Sequence, residues 1–449
     1  MNPISTLFLA AASFALLSLP RRLAPVPLLI GACYMTLAQG VNVGPFTFSV
    51  LRILVAVGVL RVLFRRETLV GGLNKLDSLM WSSAVVAIVT SPFHQDPKGQ
   101  LIFCLGMAYN TCGIYFLFRT LCRSVEDAVG VIQATAFVLV PVALEMLLEV
   151  GTRQNLFAAL GGVPEVPEIR EGRVRAQGPF AHSILAGTVG AVCVPMMVGL
   201  WRLHRTASAM GLAACVTMVI TSASSGPIAS VGAGLVALAM WKCRNDMRSV
   251  RWLLVSVYAL LALVMKAPPY ALIGRIDLAG GSAGWHRVEL IDAAKAHFNE
   301  WWLWGTDYTR HWMPTGVTWS PDHTDITNYY LHLGVVGGVP LIMVFVWTLV
   351  QGYSFTGRSI RHSSLPVKFR FVAWSLGAAL FAHTATCISV SYFDQSFLFL
   401  YLTLAVIGAV YSSLVVTPVS GLLSSAQMNQ SCSTAKGVQG RRWMWAGSA

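Results

Sequence analysis

The sequence predicts an all-α polytopic membrane protein with about 12 or 13 transmembrane helices. Its 449 residues are 55% hydrophobic and only 11% charged, a balance that is rare in a water-soluble chain of this length. Apolar runs recur along most of the chain, and a helix of about 20 apolar residues crosses a bilayer while satisfying its own backbone hydrogen bonds. The basic residues also alternate from one connection to the next, as they do in polytopic proteins.

The apolar runs define the candidate spans, and the first of them is short. The candidates are residues 4 to 19, 23 to 39, 45 to 64, 76 to 92, 101 to 121, 128 to 150, 180 to 201, 207 to 222, 225 to 241, 250 to 266, 329 to 353, 368 to 388 and 393 to 416. Residues 4 to 19 could form a full span, a partial span or a re-entrant piece. A secretory signal peptide fits them poorly, because no basic region precedes the run and no small-x-small cleavage site follows it.

The distribution of positive charge predicts the orientation. Most of the 32 Lys and Arg residues lie in one alternating set of connections, whereas residues 40 to 45, 222 to 226 and 388 to 392 contain none. Since basic loops favour the cytoplasmic side, we expect residues 151 to 179 and 267 to 327 to form two longer loops on the outer face. The net charge of +13 then reflects topology, and nucleic-acid binding is not needed to explain it.

This topology divides the chain into a transmembrane domain, residues 1 to 416, and a cytoplasmic tail, residues 417 to 449, which we expect to be disordered. All nine cysteines then lie in spans or on the cytoplasmic side, so no disulfide framework is expected. The sequence has no phosphate-binding loop, Asp-x-Asp, His-Glu-x-x-His or Cys-x-x-Cys motif, and we expect neither a metal nor a cofactor.

The second outer loop contains a predicted amphipathic helix over residues 285 to 302. Its apolar arc includes Leu290, Ala294, Phe298 and Trp301, which would lie on the membrane surface or cap the helix bundle. Arg287 falls in the middle of this arc. An unpaired guanidinium there is costly, so it either reaches lipid phosphates, forms a structural pair or binds a ligand.

Two further clusters lie where the outer loops meet the next spans. Arg173 and Arg175 precede a Gly-Pro turn and His182, near a predicted helix N-terminus, where the pair either binds an anion or forms a solvated basic flank. His323 lies between Asp322 and Asp325, and neighbouring carboxylates orient a ring and raise its basicity. A histidine in a polar loop often has no such role.

Taken together, these residues resemble the O-antigen ligase and O-antigen polymerase family of bacterial membrane glycosyltransferases. Residues 175 to 182, Arg-Ala-Gln-Gly-Pro-Phe-Ala-His, are similar to the family's Arg-x-x-Gly-x-Phe-x-His segment. Arg287 with residues 301 to 305 is similar to the Arg, amphipathic helix and Gly of the large periplasmic loop. Residues 323 to 338 are similar to a His and Asn followed by Tyr-Leu and a Gly-rich helix start.

The sequence departs from the family pattern at two places. His323 and Asn328 are separated, whereas the family often has His directly followed by Asn. His182 is followed by Ser183 and Ile184, where the family commonly has Pro-Asn. These departures leave open the acceptor specificity and the choice between Arg173 and Arg175 as the phosphate ligand.

The resemblance implies transfer of a glycan from an undecaprenyl diphosphate carrier to an acceptor hydroxyl, either a second glycan or a lipid A core, at the periplasmic face of the inner membrane. Guanidinium groups suit the departing diphosphate, which implies roles for Arg175 and Arg287, and His323 would be the general base. The other residues expected to contact substrate are Arg173, His182, Asp325, Asn328 and Tyr329. The implied reaction is an inverting displacement, with membrane lipids as the other partner and no nucleotide or metal.

Two other hypotheses compete with this interpretation. A transporter of polysaccharide or small solutes would place polar groups at mid-membrane on broken helices. A structural membrane protein would have no chemistry, and its Arg287 would tolerate Lys or Gln.

Overall fold

Helices form along the apolar runs throughout the computed structural model, which describes residues 1–275, 284–317, 320–363 and 365–415. They are α1 (Pro3–Ser18), α2 (Pro25–Tyr34), α3 (Val50–Arg65), α4 (Lys75–Thr90), α5 (Pro97–Leu121), α6 (Val125–Thr152), α7 (Ser183–Leu200), α8 (Arg205–Thr221), α9 (Ser225–Ala239), α10 (Met247–Val264), α11 (Gly284–Ala296), α12 (Phe298–Trp301), α13 (Tyr329–Arg361), α14 (Val367–Thr386) and α15 (Phe397–Val415). Short 3-10 helices extend α4 to Phe93 and α9 to Cys243.

Short hairpins occupy three of the connections. Each is a two-stranded antiparallel sheet. The pairs are β1 (Gly40–Val43) with β2 (Phe46–Ser49), β3 (Glu168–Arg170) with β4 (Arg173–Arg175), and β5 (Gly316–Val317) with β6 (Ser320–Thr324). The hydropathy pattern did not predict them, because strands this short carry little periodicity.

Every predicted span overlaps a helix, and eight of the described helices are long and apolar enough to cross a membrane. The chain is therefore a mostly helical, multi-pass membrane protein. Helices α1, α2 and α8 are apolar but shorter, with 16, 10 and 17 residues. The predicted span over residues 23 to 39 ends early, at Tyr34, because the β1–β2 hairpin follows.

Helix α7 lies at the centre of the bundle and α10 at its edge. In α7, 89% of the span is buried, compared with none of α10. Small residues allow the close packing of α7: a Cβ on Gly187 would lie 2.3 Å from the Ser222 hydroxyl, and one on Gly190 would lie 2.8 Å from the Cys215 carbonyl. The start of α7 is thus held rigidly by its neighbours.

Basic residues in or next to the connections predicted to be cytoplasmic bond to the ends of other helices. Arg21, between α1 and α2, donates a hydrogen bond from Nη1 to Asp127 at 2.8 Å. Arg119 of α5 donates from Nη2 to the Ser412 hydroxyl of α15 at 2.8 Å. Basic residues of these connections therefore join distant parts of the chain.

Connections of the opposite set are also joined to one another. His94, between α4 and α5, lies with Nδ1 2.5 Å from the Asp307 carboxylate. Gln395, before α15, donates from Nε2 to the Pro179 carbonyl at 3.0 Å. Each of the two outer loops predicted from charge is thus joined to a shorter connection of the same set.

Helix α13 is broken near its start. Gly337 and Gly338 have non-helical backbone angles, with φ of −153° and 70°. At this break the Val339 amide donates to the Trp302 carbonyl at 2.7 Å, and the Thr306 amide donates to the Val335 carbonyl at 2.9 Å. Backbone of the large loop is thereby inserted into the break in the helix.

The predicted amphipathic helix of the large loop is present as two helices, α11 and α12, which are interrupted at His297. Leu290, Ala294 and Trp301 are buried in a cluster that includes residues of α13. Phe298, from the same predicted apolar arc, is 44% exposed. The buried half of the arc therefore caps the bundle.

The loop boundaries differ slightly from the predicted ones. Helix α6 runs to Thr152, so the first outer loop begins slightly later than predicted. Helix α10 ends at Val264, so the second outer loop begins slightly earlier than predicted.

The described cysteines are all free, and Cys243 is the exposed one among them. Cys432 and the predicted tail, residues 417 to 449, lie outside the described residues.

Candidate functional site

A cavity of about 330 Å³, with several charged residues in its lining, opens where four connections meet. One part of its lining comes from the β3–β4 hairpin, the segment after this hairpin and Arg287 of α11. The rest comes from three other segments, which are residues 223 to 225, 325 to 327 and 389 to 391. Four of the site residues predicted from the sequence line it together: Arg175, His182, Arg287 and Asp325. The fold therefore brings together residues from both outer loops that are far apart in the sequence.

The β3–β4 hairpin positions Arg175. Its two-residue turn, Glu171 and Gly172, has φ of 50° and 75°, as a type I′ turn requires. This register places Glu168 directly opposite Arg175. The Arg175 Nη1 donates to the Glu168 carboxylate at 2.5 Å, so the pairing of the strands aligns the side chains.

The Arg175 guanidinium is buried, with 6% of the residue exposed. Its Nη2 donates to the Ser224 hydroxyl at 3.0 Å, and its Nε has no hydrogen-bond partner among the described residues. Burial lowers the pKa of Arg175, and the charge of Glu168 opposes that shift. A fixed cation with an unused donor therefore lies at the wall of the cavity.

Glu149 of α6 fixes the chain between Arg175 and α7. The backbone amides of Gln177 and Gly178 donate to the same carboxylate oxygen of Glu149, at 3.0 and 2.9 Å. Gly178 has φ of 56°, which a glycine adopts without strain. Glu149 thus positions Arg175 and His182 from outside the cavity.

His182 is the N-cap of α7 and lines the cavity. The Ile184 amide donates to its Nδ1 at 3.2 Å, so the neutral ring has its proton on Nε2. Burial lowers the pKa of His182, and the adjacent charge of Arg175 lowers it further. The ring is therefore a neutral hydrogen-bond donor near neutral pH.

Arg287 extends from α11 into the cavity. Among the described residues it makes one side-chain hydrogen bond, from Nε to the Ser389 carbonyl at 3.3 Å, and no ion pair. Burial and the nearby charge of Arg170 both lower the pKa of Arg287. A half-buried guanidinium without a carboxylate partner is costly unless an anion binds to it.

Asp325 is exposed and lines the cavity together with Arg287. Its backbone carbonyl lies 3.1 Å from Nε2 of the buried His286, which precedes Arg287. His286 was not predicted from the sequence, although its position beside Arg287 was a usable signal. The His286 contact holds the start of α11 against the segment that contains Asp325.

His323 lies on β6 and is not among the residues that line the cavity. Its Nδ1 is 2.7 Å from the Ser320 hydroxyl. Burial lowers the pKa of His323, while the carboxylate of Asp322 opposes the shift. The histidine expected to be the base is therefore two residues from the cavity-lining Asp325.

The other three expected contact residues do not line the cavity. Arg173 is exposed on β4. Asn328 caps α13, where its side chain accepts the Leu331 amide at 3.1 Å. Tyr329 is buried, with its hydroxyl 3.2 Å from that of Tyr401. The hydrogen bonds of Asn328 and Tyr329 fasten the start of α13.

Several residues of the site were not found from the sequence. Arg170, on β3, lines the cavity and adds a third guanidinium. Asp394 accepts the Ala181 amide at 3.0 Å and so joins the segment before α7 to the one before α15. A run of polar residues, 394 to 396, between apolar runs was the available signal for Asp394.

The fold defines the class of this protein as a multi-pass helical membrane protein with an arginine-containing cavity between connections at one end of the bundle. The chain matches neither a known protein family nor a curated protein. We therefore infer the function from the chemistry of the cavity.

Proposed function

We propose that this protein is a membrane glycosyltransferase that moves a glycan from undecaprenyl diphosphate to an acceptor hydroxyl, as an O-antigen or exopolysaccharide polymerase or ligase. In this proposal it has about 12 or 13 spans in a bacterial inner membrane, and the cavity faces the periplasm. The observation that supports it most is the half-buried Arg287, which has no ion pair among the described residues and lies in a cavity with Arg175.

The cavity suits a diphosphate. Arg170, Arg175 and Arg287 contribute three positive charges, against two negative charges from Glu168 and Asp325. Guanidinium groups bind phosphate oxygens through paired N–H donors and remain charged when partly buried. In the proposed complex, Arg287 and Arg175 bind the diphosphate and stabilise the negative charge that develops as it leaves.

His182 complements the arginines. Its Nδ1 accepts the Ile184 amide, so its Nε2–H is available to a ligand on the cavity side. A neutral donor there would bind a non-bridging phosphate oxygen or a sugar hydroxyl without adding charge.

The acceptor hydroxyl requires a base. In a direct displacement, its oxygen bonds to the anomeric carbon, its proton passes to the base, and the bond from that carbon to the diphosphate oxygen breaks. The electron pair leaves with undecaprenyl diphosphate. Asp325 is our first choice for the base, because it lines the cavity, and His323 is the alternative that the family resemblance implies.

The size and place of the cavity agree with a lipid-linked donor. A volume of about 330 Å³ is at the lower end of small-molecule sites, enough for the diphosphate and the adjoining sugar. The polyprenyl tail would remain in the bilayer and the rest of the glycan would extend outward.

A transporter is the second candidate, and the break in α13 is the feature that favours it. Broken helices of transporters place free backbone groups around a solute. Here the backbone groups at the break bond to Trp302 and Thr306 of the large loop, which leaves less room for a solute.

Purified protein in nanodiscs with an undecaprenyl-diphosphate-linked oligosaccharide tests the proposal. We expect longer or transferred glycans together with release of undecaprenyl diphosphate, and loss of both in Arg287→Gln. Arg248→Gln, which changes an exposed arginine near the start of α10, is the matched control. Solute flux in proteoliposomes without glycan transfer would instead establish the transporter. Single repeat units that accumulate in a deletion strain would indicate a polymerase, and unattached long chains a ligase.

A further inference from the structure

Three potential metal ligands converge in the large loop, in the part of the chain that follows α11. His297 Nδ1 lies 2.7 Å from one carboxylate oxygen of Glu300, and His311 Nε2 lies 3.0 Å from the other. One ligand atom from each of the three residues falls within 4.8 Å of the others. Two imidazoles and a carboxylate are a donor set that Zn²⁺ accepts in proteins.

Surrounding contacts hold the three side chains in place. The indole of the buried Trp312 donates to the Glu300 carboxylate at 3.0 Å. Tyr308 stacks on the His311 ring, with centroids 4.8 Å apart. Such second contacts orient metal ligands and fix the carboxylate.

We propose that His297, Glu300 and His311 bind one Zn²⁺ through His297 Nδ1, a Glu300 carboxylate oxygen and His311 Nε2, with water as the fourth ligand. Ligands about 2.0–2.1 Å from a tetrahedral ion lie about 3.3 Å apart. Glu300 Oε1 lies 2.7 Å from His297 Nδ1 and 3.2 Å from His311 Nε2, so binding through this oxygen needs only a small outward movement. Each side chain is about one third exposed, which gives the ion and its water access.

The proposed ion would fasten two segments of the large loop. Glu300 belongs to α12, whereas His311 lies in the 3-10 turn Arg310–Trp312. Trp301 and Trp312 of these segments share the buried cluster with Leu290 of α11. Zinc would thus stabilise the platform from which α11 presents Arg287, and this role does not depend on the proposed function.

Sequence motifs did not reveal the site because its ligands are irregularly spaced. His297 and Glu300 are neighbours on one helical turn, but the third ligand comes from a separate turn of the loop. A search for His-Glu-x-x-His or paired cysteines does not find this arrangement.

Calorimetric titration of chelator-treated, detergent-solubilised protein with ZnSO₄ tests the proposal. We expect one Zn²⁺ per chain and a rise in Tm on binding. Glu300→Gln, which keeps a hydrogen-bond acceptor for Trp312, should bind Zn²⁺ at least tenfold more weakly, as should His311→Ala. His204→Ala, which changes an exposed histidine before α8, should bind Zn²⁺ like the wild type.

A second measurement separates metal ligation from a structural effect of the variants. Co²⁺ in place of Zn²⁺ should give the visible absorption of a tetrahedral site in wild-type protein and lose it in folded Glu300→Gln. Trp312→Phe should weaken Zn²⁺ binding by about 10-fold, since it removes a contact that orients the carboxylate. Equal Zn²⁺ affinity in wild type and Glu300→Gln, or no binding by wild type, would overturn the proposal and leave a hydrogen-bonded cluster around Glu300.

Discussion

Arg175 and Glu168 lie directly opposite each other in the β3–β4 hairpin, with Nη1 and Oε2 2.5 Å apart. The arginine is buried, whereas the glutamate side chain is 52% exposed. The pair therefore fixes the guanidinium while placing a negative charge beside the proposed diphosphate site.

Glu168→Gln should raise the affinity for undecaprenyl diphosphate. Removing a negative charge close to an anionic ligand changes the binding free energy by about 1 kcal/mol when the site is solvent-exposed. This corresponds to a roughly fivefold change in the dissociation constant. Glu171→Gln, at the tip of the same hairpin, should change the affinity much less. The measurement is a binding titration with the lipid diphosphate in nanodiscs. Weaker binding by Glu168→Gln would mean that orientation of Arg175 outweighs the charge.

Arg287→Lys should lose at least about tenfold in kcat/KM although it keeps the positive charge, because lysine lacks the planar fork that contacts two phosphate oxygens. Arg175→Lys should behave in the same way. Arg173→Lys, on the same strand but outside the cavity, should retain near-normal transfer. The measurement is the rate of glycan transfer at matched protein levels. Normal activity of Arg287→Lys would indicate that Arg287 contacts lipid and does not bind the diphosphate.

Paired variants identify the base. Asp325→Asn should slow transfer by roughly 10² to 10⁴ if its carboxylate accepts the acceptor's proton, with little change in donor affinity. His323→Ala should then have a small effect. The opposite ranking would assign the base to His323.

The pH dependence provides a second test of the same question. Burial lowers the pKa of His323, so the ring stays neutral until the pH falls below its ordinary value of about 6.5. With His323 as the base, activity should persist through neutral pH and fall only in more acidic solution, and that fall should disappear in His323→Ala.

The helices could be predicted from the sequence because lipid requires long apolar runs, and each run contains a helix. Arg287 was also identifiable, since a cation within an apolar arc needs a partner or a ligand. The β3–β4 hairpin was not predictable, because its short strands show no useful alternation. The orientation of Asp325 and His323 depends on distant contacts, such as the Thr324 amide bonding to the Thr309 hydroxyl at 3.0 Å, and no local spacing encodes these.

Gly338→Ala should destabilise the protein by about 1–3 kcal/mol or more. Gly338 has φ of 70°, and a Cβ there would lie 2.4 Å from the Leu303 carbonyl oxygen. Gly232→Ala in α9 is the matched control, because nothing lies within 4 Å of the position that its Cβ would take and alanine favours helix. Thermal unfolding in detergent measures both, and an unchanged Tm for Gly338→Ala would contradict the packing described at the break.

Cysteine labelling tests the orientation. Val166→Cys and Thr315→Cys, both at exposed positions, should react with a membrane-impermeant thiol reagent added from the periplasmic side. Asn245→Cys, between α9 and α10, should not react. The background should carry Cys243→Ser, because Cys243 is exposed near the same connection. The reverse pattern would place the cavity in the cytoplasm.

The break in α13 also constrains how the chain is assembled in the membrane. A helix that breaks within or near a bilayer leaves backbone groups that must find other partners. In this protein the Val335 and Trp302 carbonyls and the Thr306 and Val339 amides satisfy one another across the large loop. The broken start of α13 can therefore reach its final form only after the large loop has folded against it, so the packing of α13 is completed late in the assembly of the chain.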